Sequence, residues 1–294
     1  MSKNKKELFS GAATAIITPF SGKKIDYKAL GGLIDFQLDG RIETIVVAGT
    51  TGEAPALSDS ELEELFTFSA ERVASKAKII AGCGSNSTEH SVEIARIAEW
   101  SGCAGLLAVT PYYNKPTARG LVEHYLKIAD AVNLPIILYN VPSRTGVSIG
   151  LDCYRELASH EQIVGVKEAS GSISLAADIL AEFGEDLDLY SGNDDMTVPI
   201  MALGGKGCIS VVSNLLPLEV HELCRHCLEG NFAAAGELQL DLIPIIRALF
   251  KESNPIPIKY ALSRLGFCEL SYRSPLCPPS EETASLIDSI LDVL

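Results

Sequence analysis

The chain has 294 residues, 47% of them hydrophobic, and carries a formal net charge of −14 with a pI near 4.8. A chain of this length can bury a large core, and its acidic balance argues against nucleic acid or an anionic membrane surface as a partner. The sequence has no run of about 18 apolar residues and therefore no predicted transmembrane span. Its basic start, residues 1–6, lacks the apolar stretch of a signal peptide, so we expect a cytoplasmic protein.

Through residue 230, short apolar runs alternate with amphipathic stretches. Helical patterns of about 10–18 residues separate the runs, long enough to cross over between parallel strands. Eight such units predict an α/β fold, a closed (β/α)8 TIM barrel over residues 1–230. An open doubly wound sheet is the alternative, but no dinucleotide-binding glycine fingerprint follows the first strand. The strand-like runs lie at 13–18, 44–48, 78–82, 105–110, 136–140, 163–167, 187–191 and 208–212.

The helical pattern at 58–73 contains signals for its N-terminus and for its buried face. Ser58 and Glu61 form a predicted capping box. The apolar face of the helix is predicted to contain Leu62, Leu65, Phe66, Ser69 and Val73.

After Gly230 the alternation of strands and helices ends. Pro244 should kink the first helix of this region or begin a new turn. We interpret residues 231–294 as a C-terminal helical appendage that is too small to fold by itself. Its three helical patterns lie at 232–251, 257–266 and 281–294, and the last has an apolar stripe of Ile287, Ile290, Leu291 and Leu294.

Lys167 is the most unusual residue of the strand-like runs. It lies in the apolar segment Ile-Val-Gly-Val-Lys-Glu-Ala at 163–169, a pattern typical of a strand buried on both faces. Burial of an ammonium is costly, and desolvation lowers the pKa of a lysine from about 10.4. An uncharged lysine amine can condense with a ketone to form a Schiff base. The structural alternatives are a lysine at the exposed tip of the strand and a lysine paired with Glu168.

Polar residues follow several predicted strands at their carboxyl ends, where the active sites of barrels form. Each motif alone is compatible with a tight turn or with packing, but their coincidence on one rim predicts an active site. The motifs are Gly-Thr-Thr-Gly-Glu at 49–53, Thr-Pro-Tyr-Tyr-Asn at 110–114, Tyr-Asn-Val-Pro-Ser-Arg-Thr-Gly at 139–146, Lys167 itself, and Ser-Gly-Asn-Asp-Asp at 191–195.

Two other clusters have structural interpretations. The glycine-rich segment 204–207 precedes the eighth strand, so we interpret it as a tight turn on the opposite rim rather than as a phosphate cradle. The His and Cys residues at 221–227 resemble metal ligands, but they have no second pair and fit a helix from Pro217 to Gly230. No metal is therefore predicted. The eight cysteines lie mostly in apolar runs, as expected in a reducing compartment.

Together the rim residues suggest a condensation reaction. An uncharged Lys167 would attack a 2-oxo acid, and loss of a proton from the adjacent carbon would give an enamine that attacks an aldehyde. Backbone N–H groups of the turn at 50–51 could hold the acid's carboxylate, and Arg144 could clamp a second carboxylate. Taken singly, Arg144 could instead form a surface ion pair. Three hydroxyls could relay the proton, those of Thr51, Tyr139 and Tyr113.

At these positions the chain resembles the dihydrodipicolinate synthase family of pyruvate-dependent class I aldolases. The resemblance implies condensation of pyruvate with L-aspartate 4-semialdehyde to give 4-hydroxy-tetrahydrodipicolinate, the first committed step towards diaminopimelate and lysine. It implies no organic cofactor and no catalytic metal, only the Schiff base on Lys167. The likeness extends from Gly11 to the last helix and depends on the motifs at 49–53, 110–114, 139–146, 166–169 and 191–194.

The resemblance also implies roles for individual residues. Lys167 would form the Schiff base, and Arg144 would bind the carboxylate of the semialdehyde. Tyr113 would reach in from a neighbouring subunit of a homotetramer built as a dimer of dimers. The proton relay would consist of Tyr139, Thr51 and Tyr113, and the pyruvate site would be formed by Thr50, Thr51, Gly192 and Ile209.

Feedback inhibition by lysine is predicted to be weak or absent. In inhibited members of the family, a cleft between two subunits carries a glutamate where this chain has His90. It often carries a histidine where this chain has Leu62, whereas Tyr112 and Asn86 match the cleft. Without the glutamate, the ammonium of lysine would lose a charged partner.

Two other functions remain open at the level of sequence. Aldolases that act on sugar acids such as N-acetylneuraminate or 2-keto-3-deoxygluconate would share the fold and the lysine, but those lyases tend to differ at Thr51 and Arg144. A catalytically silent barrel acting as a binding protein is the other alternative. The intact set of Lys167, Tyr139 and Thr51 argues against it.

Overall fold

The computed structural model describes residues 7–293, in which eight parallel strands close into a barrel. The strands neighbour one another in the order β1-β10-β9-β8-β7-β6-β5-β4, and β2 and β3 form a small hairpin outside. The predicted (β/α)8 TIM barrel is therefore confirmed. The strands are β1 Gly11–Ala15, β2 Phe20–Ser21, β3 Lys24–Ile25, β4 Thr44–Val47, β5 Lys78–Gly82, β6 Gly105–Val109, β7 Ile136–Asn140, β8 Ile163–Glu168, β9 Asp188–Ser191 and β10 Gly207–Ser210.

Helices surround the barrel and continue beyond its last strand. Within residues 7–293, no helix is both long and apolar enough to cross a membrane. The helices are α1 Tyr27–Asp39, α2 Asp59–Val73, α3 Thr88–Trp100, α4 Ala118–Ala129, α5 Pro142–Thr145, α6 Leu151–Leu157, α7 Ile173–Phe183, α8 Thr197–Ala202, α9 Pro217–Leu228, α10 Phe232–Leu249, α11 Ile256–Arg264 and α12 Glu281–Leu291.

Helix α2 shows how local sequence signals set the element boundaries. The side chain of Ser58 accepts a hydrogen bond from the N–H of Glu61, and the side chain of Glu61 bonds back to the N–H of Ser58. This capping box is the predicted one, and it satisfies two donors that have no partner inside the helix. The residues buried against the barrel are the predicted face, Leu62, Leu65, Phe66, Ser69 and Val73.

The first strand lies earlier in the chain than predicted. We predicted a strand at 13–18, whereas β1 ends at Ala15. The N–H of Ile16 still donates to the carbonyl of Val46 on β4 at 3.0 Å, but the next residue has its partner outside the sheet. The N–H of Ile17 donates to Oδ1 of Asn214 at 3.1 Å, in the loop after β10. That bond turns the chain away from the ladder at the rim where the functional residues were predicted.

The C-terminal region is helical as predicted, with small differences at its boundaries. Helix α10 continues through Pro244 as one element, so no new helix begins there. In α12, Ile287 is fully buried, and Ile290 and Leu291 pack partly buried against the core. Leu294, the last member of the predicted stripe, and the basic start at 1–6 lie outside the described residues.

A buried ion pair joins the C-terminal region to the barrel rim. Nζ of Lys259 on α11 contacts Oε1 of Glu53 in the loop after β4, and both side chains are at most 1% exposed. The second oxygen of Glu53 accepts the N–H of Arg273 at 3.0 Å. Burial lowers the pKa of Lys259, and the Glu53 carboxylate opposes that shift. The rings of Phe20 and Tyr272 lie 4.2 and 5.4 Å from Nζ, so the ammonium is enclosed by one anion and two aromatic faces.

Candidate active site

Lys167 lies near the carboxyl end of β8 and is almost completely buried. The residue is 5% exposed, and its neighbours in the sheet are Tyr139 on β7 and Tyr190 on β9. Its Nζ is 4.4 Å from the centroid of the Tyr139 ring. Because side chains alternate along a strand, Glu168 faces the other way, and its Oε2 accepts a hydrogen bond from Asn140 Nδ2 at 2.8 Å. Lys167 is therefore neither at an exposed strand tip nor paired with Glu168.

A cavity with about 670 Å³ of empty space opens beside Lys167, and we call it the inner cavity. Its lining residues come from the carboxyl ends of several strands, as expected for a barrel of this type. The wall brings together six predicted residues, Thr50, Thr51, Tyr139, Arg144, Lys167 and Gly192. The remaining wall consists of Ala15, Gly49, Leu107, Val141, Ser143, Ala169, Asn193, Val211, Phe250 and Asn254.

Gly192 lies close to the stem of the lysine. A Cβ atom at this position would lie 2.6 Å from Cβ of Ala169 and 3.1 Å from Cε of Lys167. In a close-packed wall no room exists for the added atom. Glycine is therefore required at 192 to let the chain after β9 approach the lysine.

Asn254, in the loop between α10 and α11, contacts two predicted site residues. Its Nδ2 donates a hydrogen bond to Oγ1 of Thr51 at 2.9 Å, and its backbone carbonyl accepts one from the guanidinium of Arg144 at 3.1 Å. Asn254 is 6% exposed and Thr51 is 2% exposed. Sequence reasoning missed Asn254; the only available signal was the Ser-Asn-Pro-Ile-Pro segment that interrupts the helical pattern.

Two of the residues predicted for the pyruvate site and the proton relay lie outside the inner cavity wall. Ile209 on β10 is fully buried among the apolar side chains inside the barrel, and Val211 rather than Ile209 reaches the cavity. Tyr113 is 92% exposed, with a φ of 73° that few non-glycine residues adopt. Within one chain, the structure does not bring Tyr113 to Lys167.

A second cavity, with about 740 Å³ of empty space, adjoins the first, and we call it the outer cavity. Thr50, Tyr139 and Arg144 line both cavities, and Tyr112 lines only the outer one. Of the other predicted cleft residues, Leu62 is buried at 3% exposure in α2. His90 is half-exposed and its Nε2 lies 2.9 Å from Oδ1 of Asp59.

The backbone carbonyl of Asn86, the remaining predicted cleft residue, accepts a hydrogen bond from Asn114 Nδ2 at 2.9 Å. Asn114 follows Tyr112 and Tyr113 directly in the motif at 110–114. The bond therefore ties this motif to the segment before α3.

Asp194 fixes the chain after β10 next to the inner cavity. Its Oδ2 accepts the N–H groups of Val211 and Val212 at 3.0 and 3.3 Å, so β10 ends at Ser210 although we predicted a strand at 208–212. Burial raises the pKa of Asp194, whereas hydrogen bonds from Ser210 and these N–H groups and the charge of Lys167 oppose that rise. Asp194 belongs to the predicted rim motif at 191–195, but sequence reasoning assigned no role to its buried carboxylate.

The clusters with structural interpretations lie away from this rim. Segment 204–207 connects α8 to β10 at the opposite rim, as predicted. The His and Cys residues at 221–227 lie in α9. Among residues 7–293, no group of three or more His, Cys, Asp or Glu side chains is arranged to hold a metal ion.

The sequence profile of the dihydrodipicolinate synthetase family matches residues 8–293 of this chain. A 4-hydroxy-tetrahydrodipicolinate synthase of Caldicellulosiruptor bescii is 46% identical over 285 residues, which cover 97% of this chain and 96% of the relative.

Two solved structures extend the comparison to the fold. The dihydrodipicolinate synthase of Aquifex aeolicus has a TM-score of 0.95 at 43% identity, covering 97% of this chain and 98% of that one. A variant described as the first monomeric dihydrodipicolinate synthase also has a TM-score of 0.95, at 40% identity, covering 97% of this chain and 96% of that one. The likeness therefore includes the C-terminal helical region as well as the barrel.

Proposed function

This chain belongs to the dihydrodipicolinate synthetase family, and from that membership we propose that it is a 4-hydroxy-tetrahydrodipicolinate synthase. The reaction is the condensation of pyruvate with L-aspartate 4-semialdehyde, a lyase-class step in the synthesis of diaminopimelate and lysine. The observation that carries the proposal is the buried amine of Lys167 in a rim cavity that also contains Tyr139 and Arg144.

The first proposed step is the capture of pyruvate by Lys167. The neutral amine adds to the C2 carbonyl of pyruvate, and uptake of one proton with loss of water leaves a protonated imine. The ring of Tyr139 lies 4.4 Å from Nζ, where the negative face of the ring would stabilise the positive charge of the imine. Apolar residues of the inner cavity wall would exclude competing water, among them Leu107, Val141 and Ala169.

The second proposed step forms the carbon–carbon bond. Loss of a proton from C3 of the bound pyruvate gives an enamine, and its C3 attacks the aldehyde carbon of the semialdehyde. The amino group of the semialdehyde then adds to the imine carbon, which closes the ring and releases the amine of Lys167. Arg144, in the wall of both cavities, would hold the carboxylate of the second substrate with two parallel N–H donors.

The hydroxyl of Thr51, predicted to relay protons and to bind pyruvate, is better suited to binding. Its oxygen already accepts a hydrogen bond from the side-chain Nδ2 of Asn254, which leaves its hydrogen for a carboxylate oxygen. A relay hydroxyl must accept one proton as it gives up another. Thr50 lines both cavities together with Tyr139, so we propose Thr50 as the threonine of the relay.

We propose that Tyr113 completes the relay of a neighbouring subunit, in a homotetramer built as a dimer of dimers. An aromatic side chain at 92% exposure on a strained backbone is poorly explained in a single chain. Tyr113 immediately follows Tyr112, which lines the outer cavity. A second copy packed against this face would bury the ring.

Mixing two inactive variants tests this sharing. We expect Tyr113→Phe to lower turnover by about 100-fold because the relay loses a hydroxyl. After subunit exchange with Lys167→Ala protein, random pairing would leave one intact site in half of the dimers and restore about a quarter of wild-type activity. Native mass spectrometry would verify the hybrids. Verified hybrids without recovered activity would contradict the shared site.

Replacement of Arg144 tests the identity of the second substrate. We expect Arg144→Ala to lower kcat/KM for the semialdehyde by about 100-fold, because a charged two-point contact to its carboxylate is lost. The pyruvate half-saturation should change little. Arg144→Lys is the matched control, because it keeps the charge but not the bidentate geometry. Its kcat/KM should lie between those of the wild type and Arg144→Ala. Unchanged turnover in Arg144→Ala would instead favour a sugar-acid aldolase.

Lysine should inhibit weakly or not at all. By the family resemblance, His90 stands in place of a carboxylate that would meet the effector's ammonium, and its Nε2 already lies 2.9 Å from Oδ1 of Asp59. Without the carboxylate at position 90, the binding of lysine should be weaker by about 1–3 kcal/mol. Initial rates measured over a lysine titration would give the inhibition constant. A micromolar constant would contradict this expectation, and His90→Glu should strengthen inhibition relative to wild type.

Trapping the imine tests the proposed function as a whole. Incubation with pyruvate and borohydride, followed by mass measurement of peptides, should give a reduced adduct on Lys167. Supplying the semialdehyde before reduction should diminish the adduct and release product. No adduct at saturating pyruvate would refute imine chemistry.

A further inference from the structure

We propose that Asn254 is a positioning residue that turns the Thr51 hydroxyl into a hydrogen-bond donor for the carboxylate of the 2-oxo acid. The inference goes deeper into the proposed function and rests on it. Asn254 lies in the C-terminal region, outside the eight strand-and-helix units. A residue of that region would therefore orient the contact between the Thr51 hydroxyl and the carboxylate of the 2-oxo acid.

The direction of one hydrogen bond carries the argument. Asn254 Nδ2 lies 2.9 Å from Thr51 Oγ1, and both residues are buried. An amide nitrogen can only donate, so the threonine oxygen accepts, and its own hydrogen must point elsewhere. Within residues 7–293 that hydrogen has no acceptor, and Thr51 lines the cavity next to Lys167.

A carboxylate is the natural acceptor for a hydroxyl that is oriented to donate. Ionised carboxylates accept hydrogen bonds and donate none. A hydroxyl that already accepts from an amide is polarised towards donation, since hydrogen bonds in a chain strengthen one another. The 2-oxo acid bound at Lys167 has its carboxylate one bond from the carbon that forms the imine, which places an anion in this part of the cavity.

The same residue also touches the second carboxylate site. The backbone carbonyl of Asn254 accepts a hydrogen bond from Arg144 at 3.1 Å. That contact uses the main chain and survives any change of the Asn254 side chain. Side-chain variants therefore isolate the effect on Thr51 from the effect on Arg144.

Two variants of Asn254 distinguish a positioning role from a purely structural role through the pyruvate half-saturation. Asn254→Ala removes the donor and should raise the pyruvate half-saturation by about tenfold. Asn254→Asp has the same shape, but it accepts the Thr51 hydrogen and places a negative charge beside the incoming carboxylate. We expect it to raise the half-saturation by about 100-fold. If Asn254 only filled space, Asn254→Ala should lower the thermal stability but leave the half-saturation near the wild-type value.

The readout is the pyruvate concentration that gives half-maximal borohydride-trapped adduct on Lys167, measured by mass without the second substrate. Tyr272→Phe is the matched control. It removes a hydrogen bond of 2.8 Å from the Tyr272 hydroxyl to the carbonyl of Ile256 in the same loop region, without touching Thr51. It should leave the half-saturation within about twofold of wild type, and thermal unfolding would verify that each variant is folded.

A double-mutant cycle completes the test. Thr51→Val alone should raise the half-saturation as Asn254→Ala does, and Asn254→Ala should add less than about twofold in the Thr51→Val background. Additive effects, an Asp variant milder than the Ala variant, or variants equal to wild type would overturn the role of Asn254. Absence of any adduct in the wild type would instead refute the proposed function, so the two failures are distinguishable.

Discussion

Lys167→Ala should abolish both the pyruvate adduct and turnover, the largest functional effect that we expect from a single substitution. The imine is bonded to Nζ, so no neighbouring group can replace the lysine, and turnover should fall by about 10⁴-fold or more. Mass measurement after borohydride treatment, together with the rate of semialdehyde consumption, checks both parts.

Lys206→Ala is the matched control for this experiment. Lys206 lies on the opposite rim, with a side chain 41% exposed and a distant pairing of 3.9 Å to Glu7. It should give the wild-type adduct and the wild-type rate. An adduct that persists in the Lys167→Ala protein would place the nucleophile elsewhere and would contradict the proposed mechanism.

Lys259→Ala should cause the largest loss of stability. Removing the ammonium leaves the buried carboxylate of Glu53 without its counter-charge, which costs about 3–5 kcal/mol in the free energy of unfolding. Both side chains are at most 1% exposed, so water cannot replace the lost partner. Denaturant unfolding followed by circular dichroism would measure the difference.

Lys251→Ala provides the comparison at the surface. Its ion pair with Glu282 measures 2.6 Å, but the two side chains are 37% and 79% exposed. Such pairs contribute about 0–1 kcal/mol, so this variant should unfold close to wild type. If both lysine variants lost the same stability, the buried pair would have no special role.

The barrel and the lysine could be predicted from sequence because their signals are local. The apolar run at 163–169 contains both the strand pattern and the unusual cation, and the capping box of α2 spans only Ser58 to Glu61. The rim motifs follow directly from their strands. Barrel geometry then brings Thr50, Tyr139, Arg144 and Gly192 to one cavity with Lys167.

The missed features depend on contacts between distant parts of the chain. Asn254 and Thr51 are separated by 203 positions, and Lys259 and Glu53 by 206. No periodicity in either segment signals its partner. The carboxyl end of β10 was misjudged for the same reason, because Asp194 draws Val211 and Val212 out of the sheet. The division into residues 1–230 and 231–294 stays a prediction, and these contacts explain why the two parts are tightly joined.

The late position of Asn254 and Lys259 in the chain has a consequence for biosynthesis. The ribosome synthesises all eight barrel strands, the last ending at Ser210, before it adds Asn254 or Lys259. A nascent chain stopped near position 230 would contain the reactive lysine but neither the amide that meets Thr51 nor the cation that meets Glu53. We therefore expect the contribution of Asn254 to binding of the 2-oxo acid, and the stability that the Lys259–Glu53 pair adds, to arise only near the end of translation.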